Sequence, residues 1–122
     1  MSAFRLFAVA ALSLAGPASA QAPTQRIELT SFAYAPKTIS LAAGKPVTLA
    51  FVNRSRDAHD FTAKRFFGRS RIVSGSAPDG EIELKGGQSR SVTLIPAAGR
   101  YSVHCSHFMH KQFGMSGEIM VR

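Results

Sequence analysis

Residues 99–121 read GRYSVHCSHFMHKQFGMSGEIMV, and this stretch predicts a strand, a loop and a second strand. Apolar and polar residues alternate up to Cys105, as in a half-buried strand. The loop that follows carries His110 and then Met115, before the alternation returns in the last residues of the chain. Such a loop can present a thiolate, an imidazole and a thioether to one point.

A second imidazole is expected from His59, which directly precedes a predicted strand at residues 60–64. A thiolate and two imidazoles in a trigonal plane, with a weak axial thioether, suit copper in both oxidation states. Zinc is the alternative metal, but structural zinc sites are built from cysteine, histidine and carboxylate ligands. Taken singly, a cysteine, histidine or methionine is commonly a packing or surface residue. Their order within one loop favours a metal site.

Two histidines compete for one place in this loop. His110 leaves four residues on either side before Cys105 and Met115, so the chain has room to turn back toward the metal. His107 is only two residues past Cys105, and we expect it beside the site or on the surface, although it can bind copper if His110 is protonated. His104 should point away from the Cys105 side of its strand because side chains alternate.

Period-two alternation continues through most of the chain and predicts an all-β fold. The predicted strands cover residues 26–31, 38–42, 47–53, 60–64, 81–85, 89–95, 100–105 and 117–122. Residues 66–80 are basic and rich in Gly and Ser, and are expected to form a loop. Seven to eight short strands in about 100 residues predict an antiparallel Greek-key β-sandwich.

Taken together, these motifs resemble the cupredoxin family of blue copper proteins. The front half carries Phe32-x-Tyr34-x-Pro36 and, further on, Asn53 and His59. The back half carries Gly-x-Tyr-x-x-x-Cys, then a histidine, then Gly-Met-x-Gly-x-Ile-x-Val. A Cys-x4-His-x4-Met loop is similar to that of auracyanin, rusticyanin and sulfocyanin.

The resemblance implies one copper ion with His59, Cys105 and His110 as equatorial ligands and Met115 as the axial ligand. The family often has Asn after the first histidine ligand, whereas this chain has Asp60. We expect the Asp60 carboxylate to accept a hydrogen bond from the hydroxyl of Ser106.

The chain of 122 residues is predicted to be a single domain, covering residues 26–122. Residues 1–20 have a basic start, an apolar run and the small-residue end Ala18-Ser19-Ala20, which indicate a cleaved signal peptide. Residues 21–25 are expected to be a flexible N-terminus. Removal of Arg5 with the signal leaves fourteen Lys and Arg against seven Asp and Glu, a net charge of +7. One cysteine excludes an internal disulfide.

These observations predict a periplasmic type 1 copper protein that carries one electron at a time. The alternative is a protein that stores Cu(I) or delivers it to a cuproenzyme, and a sandwich with a vestigial site is a third hypothesis. The sequence shows no second metal site and no general acid/base pair, so an enzyme is the least favoured hypothesis. The basic charge favours redox partners with an acidic docking surface, such as a c-type cytochrome or an oxidase. We expect a monomer with no nucleic-acid partner and no integral membrane span.

Overall fold

The computed structural model describes residues 3, 8, 10, 21–107 and 114–122. Ten strands, one short α-helix and one 3-10 turn lie within them. The strands are β1 (Thr24–Thr30), β2 (Ala33–Ala35), β3 (Thr38–Leu41), β4 (Val47–Asn53), β5 (His59–Thr62), β6 (Arg71–Ser74), β7 (Glu81–Leu84), β8 (Ser89–Ile95), β9 (Gly99–His104) and β10 (Ser116–Val121). The helix α1 spans Lys64–Arg69, and the 3-10 turn spans Pro78–Gly80.

The strands form two five-stranded sheets, ordered β2-β1-β4-β8-β6 and β3-β10-β9-β5-β7. The predicted all-β Greek-key sandwich is confirmed, but the described residues form ten strands rather than seven to eight, because β2 and β6 are additional. Both sheets are mixed rather than purely antiparallel, because β1 pairs with β4 and β3 pairs with β10 in parallel. The chain passes from β2 to β3 in the other sheet and then returns to β4, so these pairs are joined by crossovers and not by hairpins.

Residues 66–80 are not the continuous loop that the sequence indicates. They contain most of α1, all of β6 and the 3-10 turn. The helix is fixed by its two phenylalanines, because Phe66 and Phe67 are buried and Phe66 lies edge-on to Tyr101 at 5.4 Å between ring centroids. Tertiary packing therefore decides this helix, which at six residues is too short to be stable alone.

The core lies between the sheets and contains inward-facing residues of every strand except β6, whose four residues are exposed. The alternation of Val47, Leu49 and Phe51 on β4 places all three inside. Phe51 packs against Phe61 of β5 with ring centroids 4.9 Å apart, which joins the two sheets. Each fully buried aliphatic or aromatic side chain contributes about 1.5–3 kcal/mol to folding. In the described part of the chain, no helix has the length and apolar character needed to cross a membrane.

Candidate metal centre

The ends of strands β5, β9 and β10 bring three of the predicted ligands into one region. His59 is the first residue of β5, Cys105 follows the last residue of β9, and Met115 precedes β10. The amide of Cys105 donates to the carbonyl of Met115 at 3.1 Å, so the two ends of the loop are held together. All three side chains are buried, with exposed fractions of 1% or less.

A hydrogen bond to sulfur ties the β5 end to the β9 end. The backbone amide of Asp60 lies 3.4 Å from Sγ of Cys105 and donates to it. Since His59 immediately precedes Asp60, this contact brings the backbone at the start of β5 close to Cys105. Burial raises the pKa of the Cys105 thiol, backbone amides of Asp60 and His107 lower it, and the nearby carboxylates raise it further. A cation bound at the sulfur has to displace this proton.

The loop that leads into His59 is braced by a buried amide side chain. Nδ2 of Asn53 donates to the carbonyl of Asp57 at 2.7 Å and to that of Leu84 at 3.1 Å. Its Oδ1 accepts from the amide of Ser55 at 3.0 Å. These bonds connect the end of β4, the loop and the end of β7, so the start of β5 is held from both sides.

The carboxylate of Asp60 is fully buried and accepts hydrogen bonds at both of its oxygens. Its Oδ1 accepts from the hydroxyl of Thr62 at 2.7 Å and from the amide of Ser106 at 2.9 Å. Its Oδ2 bonds the hydroxyl of Ser106, as the sequence predicts. A buried charge needs such donors, because an unpaired one is costly. These bonds direct the carboxylate to its protein partners.

His107 lies beside this carboxylate and also reaches the neighbouring strand. Its Nε2 is 2.8 Å from Oε1 of Glu83 and 3.7 Å from Oδ2 of Asp60. One ligand atom from each of Asp60, Cys105 and His107 lies within 4.8 Å of the other two, so this group too could hold a metal ion. His104 is half-buried and lies between the buried Val103 and Cys105, consistent with the alternation that predicts it to point away.

Not every predicted site residue can be placed. His110 lies outside the described residues, as do Phe108, Met109 and Phe113. The structure places His59, Cys105 and Met115 at the ends of neighbouring strands. The ligand set of His59, Cys105, His110 and Met115 stays a prediction.

Sequence reasoning missed two contributors to this region. Glu83 faces His107 because β7 lies beside β5, with Asp60 opposite Glu83, and that pairing cannot be read from local alternation. Tyr34 donates its hydroxyl to the carbonyl of Asp60 at 2.6 Å. The Phe32-x-Tyr34 motif indicates a family pattern, but it does not predict the hydrogen bond from Tyr34 to Asp60.

The donors at this site fit copper. A thiol, an imidazole and a thioether are buried at neighbouring strand ends, and the buried carboxylate of Asp60 is hydrogen-bonded to Ser106 and Thr62. Soft sulfur and imidazole donors of this kind select copper over hard cations.

The family model of the cupredoxin-like domain matches residues 3–121. This chain belongs to the cupredoxin family. Membership of that family, together with the donors described above, implies one copper ion as the cofactor of this cupredoxin. No curated protein sequence is a significant match.

Solved structures share the fold of this cupredoxin. The dithionite-reduced auracyanin of the photosynthetic bacterium Roseiflexus castenholzii has a TM-score of 0.64 at 20% identity, covering 83% of this chain and 98% of that one. Auracyanin A, a "blue" copper protein of Chloroflexus aurantiacus, has a TM-score of 0.57 at 21% identity, covering 81% and 99%. A multicopper oxidase from Campylobacter jejuni has a TM-score of 0.63 at 13% identity, covering 81% of this chain but 30% of the oxidase.

Proposed function

We propose that this cupredoxin is a periplasmic blue copper protein that carries one electron at a time. His59, Cys105, His110 and Met115 would hold the metal. Copper, when bound, supplies reversible one-electron exchange between Cu(I) and Cu(II). The auracyanins that share its fold include a protein described as a "blue" copper protein.

The observation that carries the proposal is the hydrogen bond from the Asp60 amide to the buried sulfur of Cys105. It fixes the sulfur from the side of β5, while the bond from the Cys105 amide to Met115 fixes the backbone from the side of β10. A thiol held by two strand ends cannot move far when the charge at the site changes. Little movement means a small reorganisation barrier, which favours electron transfer over ligand exchange.

The match to an oxidase does not favour an enzyme. It covers less than a third of that oxidase, so the likeness concerns one domain of a larger protein. The auracyanins match over almost their whole length. We therefore propose a carrier with no bound substrate.

The charge distribution supports an acidic redox partner, such as a c-type cytochrome or an oxidase. Four exposed cations lie on or next to α1, namely Lys64, Arg65, Arg69 and Arg71. Residues 64–78 contain no acidic residue. Such a surface steers anionic partners, and screening over about 10 Å at 0.1 M salt makes that steering salt-dependent. Weak, short-lived encounters of this kind suit a monomeric carrier.

The experiment is repeated redox cycling of the copper-loaded protein with an excess of a strong Cu(I) chelator present. A carrier should be reduced and reoxidised many times with constant absorbance amplitude and stoichiometric copper at the end. A protein for Cu(I) storage or delivery should transfer its copper to the chelator in the first reduced half-cycle. The second result would replace electron transfer by copper delivery.

A further inference from the structure

The turn between β1 and β2 contains a bulky residue in a costly backbone conformation. Phe32 has a φ of +62°, in the left-handed region that residues with a side chain rarely adopt. Glycine or asparagine is the usual choice at such a turn position. A phenylalanine there lowers the folding equilibrium constant on the order of tenfold relative to a relaxed backbone.

The strained turn carries the Phe32 ring onto a predicted copper ligand. The ring lies edge-on to the His59 imidazole, with centroids 6.3 Å apart and an interplanar angle of 79°. Phe32 is 38% exposed, whereas His59 is 1% exposed. The partly exposed phenyl ring therefore packs edge-on against a buried imidazole.

The position of this ring is set by the hairpin itself. Two residues along, Tyr34 points into the core and its hydroxyl is bonded to the carbonyl of Asp60 at 2.6 Å. Tyr34 also packs edge-on against Phe61 with centroids 5.3 Å apart. The hairpin is thus anchored on β5 next to His59, and the left-handed backbone at residue 32 directs the phenyl ring to the neighbouring histidine.

We propose that Phe32 is a positioning residue for His59. Its ring fixes the plane of the imidazole and keeps water from it, and the unfavourable backbone at the turn is retained for that contact. The inference rests on the assignment of His59 as a copper ligand. An edge-on aromatic pair is worth a factor of about two to ten in an equilibrium, so loss of the ring should loosen His59 without removing the site.

The test compares two variants that both remove the ring and differ in backbone strain. Phe32→Ala keeps the cost of the left-handed conformation, whereas Phe32→Gly relieves it. Urea unfolding of the metal-free proteins measures their folding equilibrium constants. The constant of Phe32→Gly should be about ten times that of Phe32→Ala. Val73→Ala is the matched control, since Val73 is also an exposed apolar residue but lies on β6.

Two readouts then report on His59. In the metal-free proteins, diethyl pyrocarbonate modification of His59 is followed by peptide mass spectrometry, with His104 as the internal reference. In the loaded proteins, the rate of copper loss to a chelator is measured. In both ring-deleted variants, modification of His59 and release of copper should be about twofold to tenfold faster than in wild type. Val73→Ala should match wild type.

The inference is overturned if Phe32→Gly behaves like wild type in both readouts. An effect seen only in Phe32→Ala would then come from strain in the turn and not from loss of the ring. If the wild-type protein binds no copper, the proposed function fails on its own. The modification rates of the metal-free proteins still decide the role of Phe32 in that case.

Discussion

Asp60 accepts hydrogen bonds from both the backbone amide and the hydroxyl of Ser106, the residue that follows Cys105. The amide bond to Oδ1 is 2.9 Å long, and the hydroxyl bonds Oδ2. Asp60 also donates its own amide to the sulfur of Cys105. One buried residue therefore joins the strand of His59 to the strand of Cys105, and it brings a negative charge to the candidate copper site.

Substitution Asp60→Asn should raise the reduction potential. The carboxylate would stabilise Cu(II) over Cu(I), and a unit charge acting over a typical separation of about 6 Å in an effective dielectric of about 20 would contribute on the order of 100 mV. The amide keeps an oxygen for the Ser106 amide, so the fold should persist. Redox titration measures the potential, with Asp79→Asn in the 3-10 turn as the control. An unchanged or lower potential in Asp60→Asn would show that this charge does not act on the copper.

Met115→Leu should also raise the potential while leaving the visible spectrum blue. Leucine removes a weak donor that favours Cu(II). Because Cys105 is bonded to the carbonyl of residue 115, the backbone tie survives the substitution. Leucine nearly conserves the side-chain volume at this fully buried position. The free energy of unfolding should therefore fall by less than about 1.5 kcal/mol. A variant that binds no copper would mean that Met115 is more than an axial donor.

The two loop histidines should respond differently to removal. His110→Ala should open the site and give a green or colourless protein. His107→Ala should remain nearly blue, since the His107 ring is bonded to Glu83 and lies at the edge of the site. Visible and EPR spectra of both variants decide the question. A blue His110→Ala together with a colourless His107→Ala would identify His107 as the ligand, within the group it forms with Asp60 and Cys105.

The stability of the metal-free fold should fall in alkali because of the buried phenol of Tyr34. Burial, with smaller effects of the Cys105 and Asp60 charges, holds the pKa of the Tyr34 phenol far above its usual value of 10.0. The stability linked to this phenol is therefore complete below pH 10 and is lost as the pH rises above it, because the unfolded chain ionises first. The slope is up to about 1.4 kcal/mol per pH unit.

Urea unfolding between pH 9 and pH 11 measures this loss, and Tyr34→Phe is the comparison. That variant should be less stable near neutral pH by about 1–3 kcal/mol, because the carbonyl of Asp60 loses its partner. Its stability should then fall less steeply in alkali than that of wild type. Parallel curves for the two proteins would show that the phenol is not protected by the fold.

Local alternation predicted the sandwich because it records which side of a strand is buried. Val47, Leu49 and Phe51 are buried as their spacing indicates, and β4 has the predicted bounds. The parallel pairing of β1 with β4 could not be predicted in this way. A strand's alternation carries no information on which neighbour it joins or in which direction.

The helix α1 was missed for a related reason. Its sequence is short and contains Gly68, and what holds it is the packing of Phe66 against Tyr101, which is 35 residues away in the chain. The proximity of Cys105 and Met115 could be predicted because they flank one loop. Glu83 and Phe32 could not, because they approach His107 and His59 only after the sheets are assembled.

The most direct measurement is the visible and EPR spectrum of the Cu(II)-loaded protein, taken beside that of Cys105→Ser. A thiolate ligand to Cu(II) should give the wild type an intense charge-transfer band in the visible and a narrow copper hyperfine splitting. Serine keeps the size and the fold but cannot supply that sulfur, so both features should vanish in the variant. A wild-type protein without the band, or a Cys105→Ser protein that retains it, would contradict a copper centre built on Cys105.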